Sequence, residues 1–161
     1  MKRGCLVCKG VSLVLALALV GVGYIFVVRG NVEPHPDGRS VVLLSADERN
    51  MVLGEMRGLL EAVQVVVQAA SDGDMAEVSS AARAVGMVAA EGESASMLGK
   101  IPLDFMKMGM GTHKAFDALA DTADSTDDPL VVLRELGGLM DRCTSCHAGY
   151  RFGIEGGDPE I

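Results

Sequence analysis

The sequence predicts an all-α protein: an antiparallel four-helix bundle preceded by one N-terminal transmembrane anchor helix. Three observations carry that expectation. Beyond residue 44, apolar residues recur at helical spacing in four successive segments, and no segment shows sustained strand alternation. Short stretches rich in Gly, Ser, Asp and Pro separate those segments, as in a bundle with tight connections. An almost unbroken apolar run of 18 residues, Val11–Val28, precedes them. The composition agrees with helices. With no Trp, two Tyr and four Phe, the core must come from Leu, Val, Ala and the ten Met, which fill irregular gaps.

Lys2, Arg3 and Lys9 lie before the apolar run and Arg29 closes it. Its length just reaches the transmembrane range, so residues 1–29 are expected to anchor the chain in the inner membrane. The basic flank places the N-terminus in the cytoplasm and the remainder in the periplasm. The alternative is a cleaved signal peptide and a soluble periplasmic protein. No small-x-small site follows the run, because Phe26, Val27, Val28 and Arg29 come next. After Arg29, ten basic residues face 22 acidic ones, a balance near −12. Such a surface does not seek nucleic acid; it is drawn to basic patches on partner proteins or simply keeps the chain in solution. Cys5 and Cys8 precede the run, and Lys9 after Cys8 rules out a haem motif there; they read as incidental thiols.

Residues 30–44 read as a linker. Gly30, Pro34, Pro36 and Gly38 argue against helix or strand, and His35 between the prolines reads as solvated. The bundle domain is expected over 45–152. Its first helix opens at Ser45 with Glu48 in a capping box and runs to about Ser71. The second starts at Asp74, with Val78, Ala81, Ala82, Val85 and Val88 on its inner side, and Gly92–Gly99 follows as a loop. The third begins near Pro102 and faces inward through Phe105, Met108, Thr112, Phe116 and Leu119. After an acidic loop, Asp121–Asp128, the fourth starts around Pro129 and carries Leu130, Leu133, Leu136, Met140 and Cys143. Residues 153–161, rich in Gly and acids, are expected to be disordered.

The segment Cys143-Thr144-Ser145-Cys146-His147 carries the chemistry. On a helix, positions i and i+3 present two thiols on one side, and i+4 shares the face of the first. Two thiols can join a haem as thioethers while the histidine reaches the iron, the c-type attachment pattern. One covalent haem c, with its iron, is therefore expected at Cys143, Cys146 and His147. A zinc site would need a fourth ligand, with His35 or His113 the exported candidates. A thioredoxin-like pair would need a βαβ setting, and a plain disulfide would leave His147 unexplained.

A four-helix bundle with this motif near the end of its last helix, continuing His147-Ala148-Gly149-Tyr150-Arg151, resembles the cytochrome c-prime type. The resemblance spans about residues 45–152, and the string from Cys143 to Arg151 is its specific part. It implies an iron whose sixth side faces the first helix, occupied by a Met in low-spin members and open in five-coordinate ones. It also implies a possible homodimer. Here Met56 and Met51 are the candidates, about 140° apart on a helix, so they cannot both face the iron. Met56 shares the face of Val52, Leu59, Leu60 and Val63 and is preferred as ligand, against the plain reading of a core methionine. If Leu59 or another side chain fills that place, the iron is five-coordinate. His113 is a further candidate, as a ligand or as a propionate partner, beside its reading as a half-buried surface histidine. Arg151 and Tyr150 follow the haem histidine and are expected to shield the haem edge, with Arg151 pairing a propionate or standing solvated at the helix end.

Two functions compete. A Met/His iron suits electron transfer to and from redox partner proteins, membrane oxidoreductases first among them. An open sixth position suits binding or sensing of nitric oxide or carbon monoxide. No acid–base or nucleophile constellation accompanies the motif, so an enzyme is not expected.

Overall fold

In the computed structural model, which describes residues 2–90 and 95–157, the N-terminal apolar run does not continue as one regular helix. Helix α1, Lys2–Gly23, gives way to a π-helical segment, Tyr24–Arg29. The apolar part of α1 is then Val11–Gly23. At 1.5 Å per residue it spans about 20 Å, short of the ~30 Å hydrocarbon core. Among the described residues no helix is long and apolar enough to cross a membrane. The expected transmembrane anchor over residues 1–29 (Met1 lies outside the described residues) is corrected accordingly.

The linker expectation for 30–44 also gives way. Strands β1, Val32–Pro34, and β2, Ser40–Leu44, form an antiparallel hairpin with Val32 opposite Val42 and Pro34 opposite Ser40. The residues that argued against a strand make its turn and its edge. The His35 amide donates to the Arg39 carbonyl at 2.9 Å, the Gly38 amide to the His35 carbonyl at 3.0 Å, and Gly38 takes φ 87°. Pro34 sits on an edge strand, where a missing amide is tolerated. Gly30 is needed where the hairpin meets the body. Its φ is 64°, and a Cβ there would lie 2.5 Å from the Lys100 carbonyl oxygen. The adjacent Asn31 amide donates to that same oxygen at 2.7 Å.

The helices that follow start at the caps the sequence carries. Helix α2, Ala46–Asp72, opens on Ser45, whose hydroxyl accepts from the Glu48 amide at 3.3 Å while the Glu48 carboxylate accepts from the Ser45 amide at 2.8 Å. Gly73, at φ 75°, ends it. Helix α3, Met75–Ala84, is capped by Asp74 and stops earlier than expected. Asp117 accepts from the Met87 amide at 3.0 Å and holds the chain in a turn; Val88, expected inside, is 76% exposed. A short helix α4, Ala95–Leu98, occupies part of the expected loop, whose residues 92–94 lie outside the described residues. Helix α5, Leu103–Ser125, reaches into the expected acidic loop. Helix α6, Pro129–Gly149, is capped by Asp128, which accepts from the Leu130 amide at 2.9 Å. Its buried side is Val132, Leu136 and Leu139, with Cys143 packed beside them, whereas Leu130 is exposed.

The chain leaves α6 in extended form at Tyr150 and becomes strand β3, Tyr150–Ile154. This strand runs parallel to β2, Ser40 opposite Tyr150 and Leu44 opposite Ile154. The expected all-α class is therefore corrected: the fold is mostly helical with a three-stranded mixed sheet, ordered β1-β2-β3. The expected disordered tail contributes Gly153 and Ile154 to that sheet, and Glu155 accepts from the Asn31 amide side chain at 3.1 Å; residues 158–161 lie outside the described residues.

Two apolar clusters result. One, among α2, α3, α5 and α6, is built on Val66, Val78, Phe116, Leu119 and Val132. The other joins the sheet to the start of α2 and α5 through Val42, Leu44, Val52, Ile101 and Phe105. Phe105 meets Tyr150 and Phe152 edge to face, with centroids 5.2 and 5.5 Å away. Helix α6 feeds directly into β3, and β2 feeds directly into α2, so the sheet ties together the end of one helix and the beginning of the other.

Candidate functional site

The Cys143–His147 string occupies the last turns of α6, still helical through Gly149. The helix brings both thiols to one side, as their spacing requires, and they bridge the two apolar clusters. Cys143 packs on the first and Cys146 on the second. Both are half-buried free thiols. Burial pushes the Cys143 thiol pKa up, and burial with the neighbouring Cys143 does the same for Cys146. Both sulfurs thus keep their hydrogens at neutral pH. The hairpin turn reaches this helix end: Arg39 donates from Nη1 to the His147 carbonyl at 3.4 Å.

A cavity of about 530 Å³ opens between α2, α5 and α6. Cys143, Cys146 and His147 line it from α6; Val52, Met56, Leu59 and Val63 from α2; Phe105, Met106 and Phe116 from α5. Its walls are mostly apolar, and its size lies within the usual range for cofactor pockets. The polar side chains on its lining include Glu55, Arg57, Thr112, His113 and Arg142. Thr112 is satisfied by its own helix, donating to the Met108 carbonyl at 3.0 Å. His113 Nδ1 lies 2.8 Å from the Val85 carbonyl. A carbonyl only accepts, so Nδ1 carries the hydrogen and Nε2 is left as an acceptor in the neutral ring.

The structure separates the residues that the sequence singled out. Cys143, Cys146, His147, Met56 and His113 come together around one cavity. Met56 is half-buried in the cluster with Val52, Phe105 and Cys146, whereas Met51 is 43% exposed and does not line the cavity. Arg151 does not line it either. In β3 it donates to His35 Nε2 at 2.9 Å and lies 3.6 Å from the Asp37 carboxylate. His35, expected to be solvated, has a side chain only 13% exposed and stands 2.8 Å from Asp37. Hydrogen bonds from Arg39 hold the Asp37 carboxyl well below the usual carboxylate range. Arg151 leaves the helix direction at Tyr150, which is why its helical placement after His147 fails. Sequence reasoning missed Arg57, Arg142, Ile101 and Phe105 as lining residues. Adjacency to Met56 and Cys143 was the only signal for the two arginines.

The donor set fits a covalently held haem. Two protonated thiols one helical turn apart, an imidazole beside them and a thioether from another helix all border one apolar space of cofactor size. Among the described residues no group of three or more His, Cys, Asp and Glu side chains is placed to hold a metal ion. Compared with known protein families, curated proteins and solved structures, the chain matches none of them.

Proposed function

We propose that this chain is a mono-haem c-type cytochrome that carries electrons, of the cytochrome c-prime kind in its haem attachment. The observation that carries the reading is that Cys143, Cys146, His147 and Met56, drawn from two helices about 90 residues apart, line one apolar cavity. Cys143 and Cys146 hold the haem as thioethers. Each thiol would add its S–H across a vinyl double bond, which forms a carbon–sulfur bond, passes the hydrogen to the adjacent carbon and consumes no redox partner. His147 would ligate the iron through its imidazole and Met56 through its thioether sulfur. When bound, the haem supplies one-electron exchange. The apolar walls exclude water from it and restrict rearrangement, which keeps the cost of changing oxidation state small. The net charge of −8 favours docking to basic patches of redox partners. The basic N-terminus followed by an apolar run supports export, placing the haem domain in the periplasm.

The test is expression of the full chain with a haem-maturation system. Covalent haem on a denaturing gel, lost when Cys143 and Cys146 are both changed to Ser, is the expected result; wild type without covalent haem overturns the reading. A low-spin ferrous spectrum that resists carbon monoxide supports electron transfer. Immediate conversion by carbon monoxide replaces that function with gas binding.

A further inference from the structure

The cavity lining is apolar except at a few points, and two of those are arginines from two different helices. Arg57 comes from α2 and Arg142 from α6. Among the described residues neither makes an ion pair, although the chain holds 22 acidic residues against 14 basic ones. Glu55 is the single carboxylate among the described lining residues, so the two arginines outnumber it. Helix α5 accommodates Arg142 in particular. A Cβ on Gly111 would stand 3.0 Å from Arg142 Nη1, so the glycine leaves the space in which that guanidinium lies against the neighbouring helix. Both arginines are exposed, as are the lining residues Leu60 and Met140, at 67% and 43%. Phe116 on the same lining is fully buried. The lining therefore runs from the buried Phe116 to exposed residues that include both arginines.

We propose that Arg57 and Arg142 form a carboxylate-binding pole at the mouth of this cavity, which takes the propionate groups of the haem and sets its orientation. This rests on the haem reading above. A planar guanidinium matches a carboxylate through paired N–H donors, and the apolar wall around it weakens competition from water. Arg151, the cation nearest the motif in sequence after His147, is engaged by His35 and Asp37 and leaves this role to the other two. Because the propionates are anionic, a neutralised partner leaves more negative charge near the iron, which favours the ferric state and lowers the midpoint potential.

The experiment compares Arg57→Gln, Arg142→Gln and the double variant with wild type, all loaded by the maturation system. Gln keeps most of the stem and removes the charge. Covalent haem content, read on a denaturing gel, reports whether the haem reading stands, because the thioethers do not depend on the arginines. The midpoint potential reports the pole. It is expected to fall by about threefold in the ferrous-to-ferric ratio for each single variant and about tenfold for the double, the latter being 59 mV for a one-electron couple. Arg57→Lys with Arg142→Lys, which keeps both charges, is expected to recover most of the shift. Covalent haem with an unchanged potential in the double Gln variant overturns the pole and leaves the haem reading standing. A fall that the Lys pair does not recover also overturns it, since that marks packing rather than charge. Wild type without covalent haem overturns both.

Discussion

Met56 both packs and, in the proposed function, ligates, and two substitutions separate those roles. Met56 is half-buried against Val52, Phe105 and Cys146 at the edge of the cavity. Changing a fully buried Met to Ala costs about 2–5 kcal/mol. For a half-buried side chain beside an existing cavity, about half of that applies, so Met56→Ala is expected to cost roughly 1–2 kcal/mol. In a domain of this size that lowers Tm by roughly 3–6 °C. Met56→Leu keeps the volume and costs less than about 1.5 kcal/mol. Only the sulfur is lost in the Leu variant. The expected outcome is therefore asymmetric: Ala lowers both stability and the low-spin signal, while Leu leaves Tm near wild type and still turns the ferrous spectrum high-spin and open to carbon monoxide. Absorption spectra with and without carbon monoxide, beside thermal unfolding followed by circular dichroism, read the two effects separately. A Leu variant that stays low-spin refutes Met56 as the ligand. With Met51 exposed and off the cavity, the same result would direct attention to His113, whose Nε2 is the free ring nitrogen.

Two further outcomes concern the frame that holds the site. Gly30→Ala places a Cβ within 2.8 Å of three backbone atoms of residues 100–102 at a positive φ, so it should destabilise by more than the ~1–2 kcal/mol of a left-handed residue alone, and chemical denaturation giving a smaller loss would refute the strain argument. The second concerns Lys100, which binds Glu48 at 2.7 Å and Glu155 at 3.1 Å and so pins the start of α2 to the end of β3. The Lys100 ammonium holds the Glu48 carboxyl down to about 2 from an ordinary value of 4.5. A depressed carboxyl stabilises fully above its unfolded pKa, and that contribution disappears as pH falls from about 4.5 through about 2. The stability gap between wild type and Lys100→Met should therefore close across that interval, as read by urea unfolding at several pH values; a constant gap would count against the ion pair.

Much of the helical frame was legible in the chain because its signals are local. Ser45 with Glu48, Asp74 with Glu77, and Asp128 before Pro129 each place a helix start through bonds spanning two or three residues. The spacing from Cys143 to His147 works the same way, since one helical turn is enough to put both thiols on one side. Local signals also misled. Gly and Pro between 30 and 38 read as a linker because the same residues serve a hairpin turn, and β1–β2 alone buries too little to leave an alternating pattern. Leu130 looked like core because it continues a periodic stripe, whereas contacts with α2 and α5 turn Val132 inward instead.

The sequence alone settled the caps, most helix limits and the placing of Cys143, Cys146 and His147 within about one helical turn, since these depend on near neighbours. Tertiary structure decided the rest. Strand β3 exists because Tyr150–Ile154 finds β2, with partners 110 positions away, and no local pattern encodes such a pairing. That pairing draws Arg151 onto the sheet and away from the cavity. The meeting of α2, α5 and α6 put Met56 rather than Met51 on the cavity and brought Arg57 and Arg142 to the same lining. A site assembled from three helices is specified by how their faces meet, and that depends on the burial of the whole chain, not on the order of residues in any one segment.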